Sequence, residues 1–352
     1  TEFPFIYSTG IYRYNKWIFK TDILNTEVAL LNLHQIRFVR ETVRQDFSLT
    51  EAAKALFTSQ PGVSKAIIEL EEELGFQIFK RHGKRIKGLT PPGDLVYKAC
   101  ERVLAELENI RRVGEEFASR DTGQLTVAVT HTQARYVLPQ AVADFRKKFP
   151  NVRLVLLQGT PQQLADWVRK DQADLAVATE ALAEEPDLVT FPCYDWGHVA
   201  VAPKGYRPFK PFVGGASGHE GRRLTLHDFE NLPIITYEGH FAGRKKIDAA
   251  LAKAGVKVDI VLEAIDADVI KTYVELGLGV GIIAEVAFDA TRDKKLDSVP
   301  VDHLFGRNTT RIALRQGVFM RTVMYEFIQV FAPMLTPKLI DKVLGGGNDY
   351  QI

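Results

Sequence analysis

The sequence predicts an α+β protein: an N-terminal winged helix-turn-helix, a long linker helix and a C-terminal two-lobed α/β domain. Three observations predict it. Three short amphipathic helical patterns between residues 33 and 74 run into a glycine-punctuated basic stretch. A single helical seam follows over residues 96–117. β-branched runs then alternate with helical patterns, which signals parallel sheets covered by helices. The 352 residues leave room for two or three domains and more than one core.

Composition narrows the classes. Hydrophobic residues at 46% and charged residues at 25% exclude disorder as the main state. No stretch approaches the ~20 apolar residues of a membrane-spanning helix, so no membrane partner is expected. Lys+Arg 45 against Asp+Glu 44 leaves a net charge of +1, so any nucleic-acid footprint must be local. Cys100 and Cys193 form no CxxC and no Cys/His cluster. Neither a disulfide scaffold nor a zinc site is expected, and the reducing cytoplasm is the simplest compartment.

Residues 1–30 carry seven aromatics and neither a basic n-region with an apolar h-region nor a small-residue cleavage site, so no secretory signal is expected there. The chain opens with Thr1, and its first methionine is Met320. Domain sequence is expected to begin near Leu31, where a TTG or CTG start codon would read as leucine.

Leu33, Ile36, Val39 and Val43 recur at helical spacing and predict a first helix. Ser48 can cap a second, from Leu49 to Leu56, with Ala52, Ala53 and Leu56 inward. A turn at Phe57–Thr58–Ser59 leads to a third helix, whose first turn suits Pro61 and whose stripe is Val63, Ile67, Leu70 and Leu74. Its other face shows Gln60, Ser64 and Lys65 near the N-terminus, where a recognition helix meets base edges. Thr50 and Pro61 complete the predicted DNA-facing helical set. Between Phe79 and Leu89 lie Lys80, Arg81, Lys84, Arg85 and Lys87 with no acid, and Gly83 and Gly88 break the run into a hairpin wing. Arg81, Lys84 and Arg85 are the predicted phosphate clamp. A bare three-helix mini-domain would need no such wing.

These residues resemble the N-terminal domain of LysR-type transcriptional regulators. The matching elements in SLTEAAKALFTSQPGVSKAIIELEEELGFQIFKRHGKRIKGLTPPGDLV (48–96) are the AA pair, S-Q-P-x-[VL]-S, L-E-x-E-L-G, F-x-R and L-T-P-x-G. The resemblance extends to about residue 345. It implies promoter DNA and RNA polymerase as partners, and a homo-oligomer, by analogy a tetramer. The seam Val96, Ala99, Val103, Leu107, Ile110, Val113 and Phe117 fits a helix that pairs with its own copy, with Cys100 as a small buried flank. Asp121–Thr122–Gly123 is expected to close it.

The C-terminal part reads LTVAV (125–129), a helix to Lys148, VRLVLLQ (152–158), a helix from Thr160 and ADLAVAT (173–179). PIITY (233–237), a helix from Gly243, VDIVLEAI (258–265), a helix from Asp268 and VGIIAEV (280–286) repeat the scheme. HVAVAP (198–203) and TRIALRQG (310–317) are expected to cross between lobes, lobe I at about 121–200 and 305–345 and lobe II at about 203–300. This architecture resembles periplasmic binding proteins. GLGVGII (277–283) precedes a strand, so its glycines read as a helix end and not a nucleotide loop.

Thr130–His131–Thr132–Gln133 sits where a strand ends and a helix begins, so hydroxyls, an amide and backbone N–H groups can converge on an anion. Thr179 and Thr236 lie at two further strand ends. THTQARYVLP (130–139), ADLAVATEAL (173–182), PCYDW (192–196), ITYEGHFAGR (235–244) and ADVIKTYVELGLGVGIIA (267–284) resemble the CysB branch, regulators of sulfur assimilation and sulfonate use. The resemblance implies that Thr130, Thr132, Gln133, Thr179 and Thr236 line a site for sulfate, O-acetylserine, N-acetylserine or a related sulfur metabolite, with Trp196 beside it. Glu180 is expected to point away by strand alternation. Glu238–Gly239–His240 and the Gly-rich insertion GGASGHEGRR (214–223) depart from the branch. A regulator sensing an unrelated carboxylate is the alternative reading. An enzyme or solute-binding protein built on the α/β part is the contrasting class. No Ser-His-Asp order, HExxH or P-loop is present, so no catalytic residue, metal ligand or cofactor is predicted.

Overall fold

Asn32 starts the fold by capping α1 (Leu33–Arg44): its side chain accepts from the Gln35 N–H while Gln35 accepts from the Asn32 N–H. The computed structural model describes residues 31–83, 85–118, 122–206 and 223–345, and of Glu180 the backbone alone. The expectations for residues 1–30, Lys84, Asp121, the Glu180 side chain and insertion residues 214–222 therefore lie outside the described residues. The chain divides into two compact units after Glu106.

In the first unit, α1 buries Ile36 and Val39 but also Gln35 and Thr42, whereas Leu33 stays 43% exposed. Ser48 caps α2 (Leu49–Ala55), and Ser59 caps α3 (Gln60–Leu74) by accepting from the Gly62 N–H at 3.3 Å. The turn between them needs a positive φ at Phe57, which stands 97% exposed. Strands β1 (Phe79–His82) and β2 (Arg85–Leu89) pair antiparallel with a bulge at Lys80/Arg81, forming the wing. Helix α4 (Pro91–Ala118) follows at once. A Cβ on Gly93 would fall 1.9 Å from the Ile78 carbonyl oxygen, so only glycine lets α4 start against the wing.

The second unit carries two five-stranded sheets. Lobe I orders β4 (Val152–Gln158), β3 (Gly123–Val129), β5 (Leu175–Ala178), β12 (Asn308–Arg315) and β6 (Leu188–Trp196). Its first three are parallel, and β12 runs antiparallel to β5 and β6. Lobe II orders β11 (Leu296–Pro300), β7 (His198–Pro203), β10 (Val280–Ala284), β8 (Pro233–Tyr237) and β9 (Asp259–Ala264). HVAVAP is therefore strand β7 inside lobe II, and TRIALRQG falls mostly in β12 of lobe I. The chain crosses at Gly197 and at 306–307 instead. Both segments are interior strands with continuous buried apolar stretches, Val199–Ala202 and Ile312–Leu314, which mark a strand covered on both faces and not an exposed crossing.

Helices α5 (Leu138–Lys148), α6 (Pro161–Arg169), α10 (Thr322–Phe331) and α11 (Pro337–Leu344) belong to lobe I. Phe145, Phe191 and Phe327 fill one core there, with Leu125, Val127 and Val129 of β3. Lobe II is covered by α7 (Ala242–Ala254), α8 (Ala267–Glu275) and the short α9 (Asp302–Phe305). After α8, Gly277 takes a left-handed φ of 81°, which ends the helix as the glycine pattern suggested. No helix among the described residues is long and apolar enough to cross a membrane.

The C-terminal half of α4 is held to lobe I by polar groups that periodicity does not reveal. Arg112 Nη1 donates to Asp174 Oδ1 at 2.7 Å, and Arg321 Nη2 donates to the same oxygen at 3.1 Å. Asp174 Oδ2 accepts the Thr126 N–H of β3. Asn109 donates to the Gly317 carbonyl and accepts the Phe319 N–H, both at 2.9 Å. Both arginines are nearly buried, so each charge depends on these partners.

Candidate functional site

The first candidate surface is the start of α3 with the wing. Ser59 caps the helix, which leaves Gln60, Pro61 and Lys65 exposed and Ser64 half-buried. These four border a shallow depression with Ile68, Glu69 and Glu72, and Lys65 lies 3.6 Å from Glu69. Thr50 is exposed on α2, and Arg85 is exposed on the wing beside Lys87.

Arg81 has a partner within the domain that the sequence did not reveal. Its Nη2 donates to Glu71 Oε2 at 2.7 Å, while Glu71 Oε1 accepts the N–H groups of Ile78 and Phe79. Arg81 thus fastens the wing to α3 through one of its five N–H donors and keeps a quarter of its side chain exposed. Glu71 escaped the sequence reading, although its signal was present: an acid four residues after Ile67, on the buried stripe.

The second candidate is a small cavity between the two lobes, lined by Thr130, Thr132, Gln133 and Thr179 from lobe I. Trp196, Tyr237, Phe241, Ala242, Gly243 and Ala284 complete the wall. Among the described residues no charged side chain lines it. Thr130 follows β3, and its carbonyl accepts the Ala134 N–H, so a helix opens directly at the strand end. That helix passes through a π-turn at Gln133–Val137, in which the Leu138 N–H reaches back to the Gln133 carbonyl. Such widened turns cluster at functional sites because they re-aim side chains.

The facing wall is the N-terminus of α7, with Phe241 at the cap position and no side-chain cap. Its first intrahelical bond is Lys245 N–H to the Phe241 carbonyl, so the N–H groups of residues 242–244 have no helical acceptor. A Cβ on Gly243 would lie 2.8 Å from His198 Nε2, and His198 is fully buried. Glycine is therefore what lets this helix end approach the strand so closely.

Gln133 is 1% exposed and heavily engaged. Its Nε2 donates to Thr310 Oγ1 at 3.1 Å, and its Oε1 accepts the Tyr194 hydroxyl. Trp196 Nε1 donates to the same Thr310 oxygen at 3.1 Å. One cavity amide is thus tied to β6 and β12, the strands on either side of the crossings. Thr236 is not brought to the cavity. Its hydroxyl donates to the Ile282 carbonyl at 3.2 Å, and it is fully buried. Alternation along β8 turns Thr236 to the Ile234 side and gives the cavity face to Tyr237. The Tyr237 oxygen accepts the Ala284 N–H at 3.2 Å. Burial pushes its phenol up to about 12, so it is neutral and can donate.

At the rim, two residues of lobe I clasp one of lobe II. The Tyr136 hydroxyl donates to Asp268 Oδ1 at 2.6 Å, and Arg135 Nε donates to Oδ2 at 3.1 Å. Burial alone would raise the Asp268 carboxyl, but Tyr136, Lys271 and Arg135 outweigh it and hold it below the ordinary carboxylate range. Burial and the bond to Asp268 together raise the Tyr136 phenol. His131, Asp266 and Asp268 bring ligand-type atoms within 4.8 Å of one another, which makes them the residues a metal ion could use. Both Asp268 oxygens are already bonded, which favours the clasp. Cys193 is buried, and that burial pushes its thiol up to about 12; Cys100 is pushed to about 11 for the same reason.

Two family models match the chain. The bacterial regulatory helix-turn-helix protein of the lysR family matches residues 33–94, and the LysR substrate binding domain matches residues 118–335. The HTH-type transcriptional regulator CysB of Burkholderia cenocepacia is 56% identical over 316 residues, covering 90% of this chain and 98% of that protein. SsuR, an HTH-type transcriptional regulator of the same organism, is 52% identical over 305 residues, covering 87% and 96%. Among solved structures, the cofactor-binding domain of the Cbl transcriptional regulator superposes with a TM-score of 0.58 at 39% identity, covering 63% of this chain and 93% of that one.

Proposed function

The chain belongs to the LysR family of transcriptional regulators, and on that premise we propose that it controls sulfur assimilation or sulfonate-use genes in response to a small anion. Sulfate, O-acetylserine and N-acetylserine are the effectors this reading names. The observation that carries it is the cavity between the lobes, where threonine hydroxyls and an uncapped helix N-terminus converge without a charged side chain among the described residues. A dianion offers acceptors only, so a cage of donors suits it, and helix N-terminal N–H groups add favourable dipoles. Thr130, Thr132, Thr179 and Gln133 are the proposed contacts from lobe I, with Trp196 as wall.

Promoter DNA meets Thr50, Gln60, Pro61, Ser64 and Lys65 in this reading, and Arg85 holds the backbone with Lys84 of the wing. Arg81 joins them on the backbone from its place between the wing and Glu71 of α3. The chain works as a homotetramer in the cytoplasm and engages RNA polymerase. The exposed seam on α4 supports self-association: Val103, Ile110 and Phe117 are 41%, 67% and 86% exposed.

Calorimetry on the full chain tests the effector. Sulfate or one of the acetylserines is expected to bind, and Thr179→Val to weaken it by about one to two decades, since a hydrogen bond to a charged group is worth ~1.5–3 kcal/mol. No binding by any of the three, or unchanged affinity in both Thr130→Val and Thr179→Val, overturns the reading.

A further inference from the structure

A pair of residues behind the cavity wall grips both ends of one buried amide. Tyr194 of β6 and Thr310 of β12 stand opposite each other in the antiparallel ladder. The Tyr194 hydroxyl donates to Gln133 Oε1, and Gln133 Nε2 donates to Thr310 Oγ1 at 3.1 Å. The Thr310 oxygen also accepts the Trp196 Nε1–H at 3.1 Å. A hydroxyl oxygen has two lone pairs, and amide and indole nitrogens can only donate, so both lone pairs of Thr310 are occupied. Gln133 and Trp196 line the cavity, whereas Thr310 is fully buried behind them. Thr310 takes one of the two hydrogens on Gln133 Nε2, and among the described residues nothing takes the other.

Resting on the anion reading above, we propose that Thr310 is a positioning residue for the effector: it turns the Gln133 amide so that the second Nε2 hydrogen meets the anion, and it pins the Trp196 indole beside that amide. The last torsion of a glutamine is broad and nearly two-fold, so a free amide turns over easily. Turned over, it would set its carbonyl oxygen against the anion. An acceptor at the nitrogen end and a donor at the oxygen end fix one orientation before the ligand arrives, so binding does not have to order the side chain. The strands that supply Thr310 and Trp196 adjoin the two crossings, so the aim of Gln133 is set where the lobes join.

A double-mutant cycle on the full chain tests this by calorimetry, with sulfate or the acetylserine that binds in its place. Thr310→Val keeps the shape and removes the acceptor, and is expected to weaken binding about tenfold. In a Gln133→Met background the same change is expected to cost less than about twofold, because a residue acting through Gln133 has nothing left to aim. Thr310→Ser keeps the acceptor and is expected to bind within about twofold of wild type. The Trp196 emission, isolated by subtracting the spectrum of Trp196→Phe in each background, is expected to shift in Thr310→Val and not in Thr310→Ser. Unfolding midpoints are measured alongside; Thr310→Cys, whose thiol is a weak acceptor, carries the test if Thr310→Val does not fold. Equal losses in both backgrounds overturn the positioning role, as does wild-type affinity in Thr310→Val, a full loss in Thr310→Ser or an unshifted Trp196 emission. If wild type itself binds neither sulfate nor the acetylserines, the anion reading fails and this assignment falls with it; if wild type binds and the losses multiply, this assignment alone fails.

Discussion

At the scale of residues, the DNA-facing set divides by what each side chain can carry. Gln60 offers an amide at the exposed first turn of α3, a group that pairs with base edges. Arg85 offers a charge on the wing, and charge reads the backbone. Gln60→Ala is expected to relax preference at particular bases, whereas Arg85→Ala should weaken every sequence and lower the salt slope by about one. Footprinting and anisotropy across a salt series separate the two outcomes. The strand-end threonines were legible in the sequence because a β-branched run breaking at Thr130 or Thr179 marks where helix N–H groups begin. Tyr237 was not legible. Which face of PIITY meets the cleft depends on how its sheet is turned, and a one-residue offset exchanges Thr236 for its neighbour.

Among elements, α4 makes two different sets of contacts along its length. Leu104 and Cys100 are buried, while Val103, Ile110, Val113 and Phe117 are exposed on the described chain. Glutamates at Val103 and Ile110 together would set like charges face to face in a self-paired seam, so sedimentation should show the oligomer split into smaller species. An unchanged sedimentation coefficient would remove the seam from the interface. The seam could be read from its spacing, as could β4 and β8, whose boundaries match the apolar runs residue for residue. The anchoring of α4 was hidden, because Arg112, Asp174 and Arg321 are polar and lie far apart in sequence. Periodicity reports apolar faces and says nothing of ion pairs closed by the fold.

For the lobed unit as a whole, closure depends on few bonds. The clasp of Tyr136 and Arg135 on Asp268 joins the lobes beside the cavity, so it weights the closed state without touching the ligand. Asp268→Asn is expected to weaken effector binding severalfold and to raise the radius of gyration of the effector-free protein in solution scattering. The sign with pH follows from the lowered carboxyl: the clasp contributes fully above the ordinary carboxylate range and is lost only as pH falls through the depressed value. Affinity should hold constant from neutral pH down to mildly acid buffer and fall below that. The hold of α4 on lobe I also sets where the chain can be cut. A fragment started at Gly123, the first residue of the sheet, would lack Asn109 and Arg112 and leave Asp174 with Arg321 alone among these cations. Expression of the ligand-binding half therefore has to begin upstream, near Leu107, so that the last turns of the helix travel with the lobe they anchor.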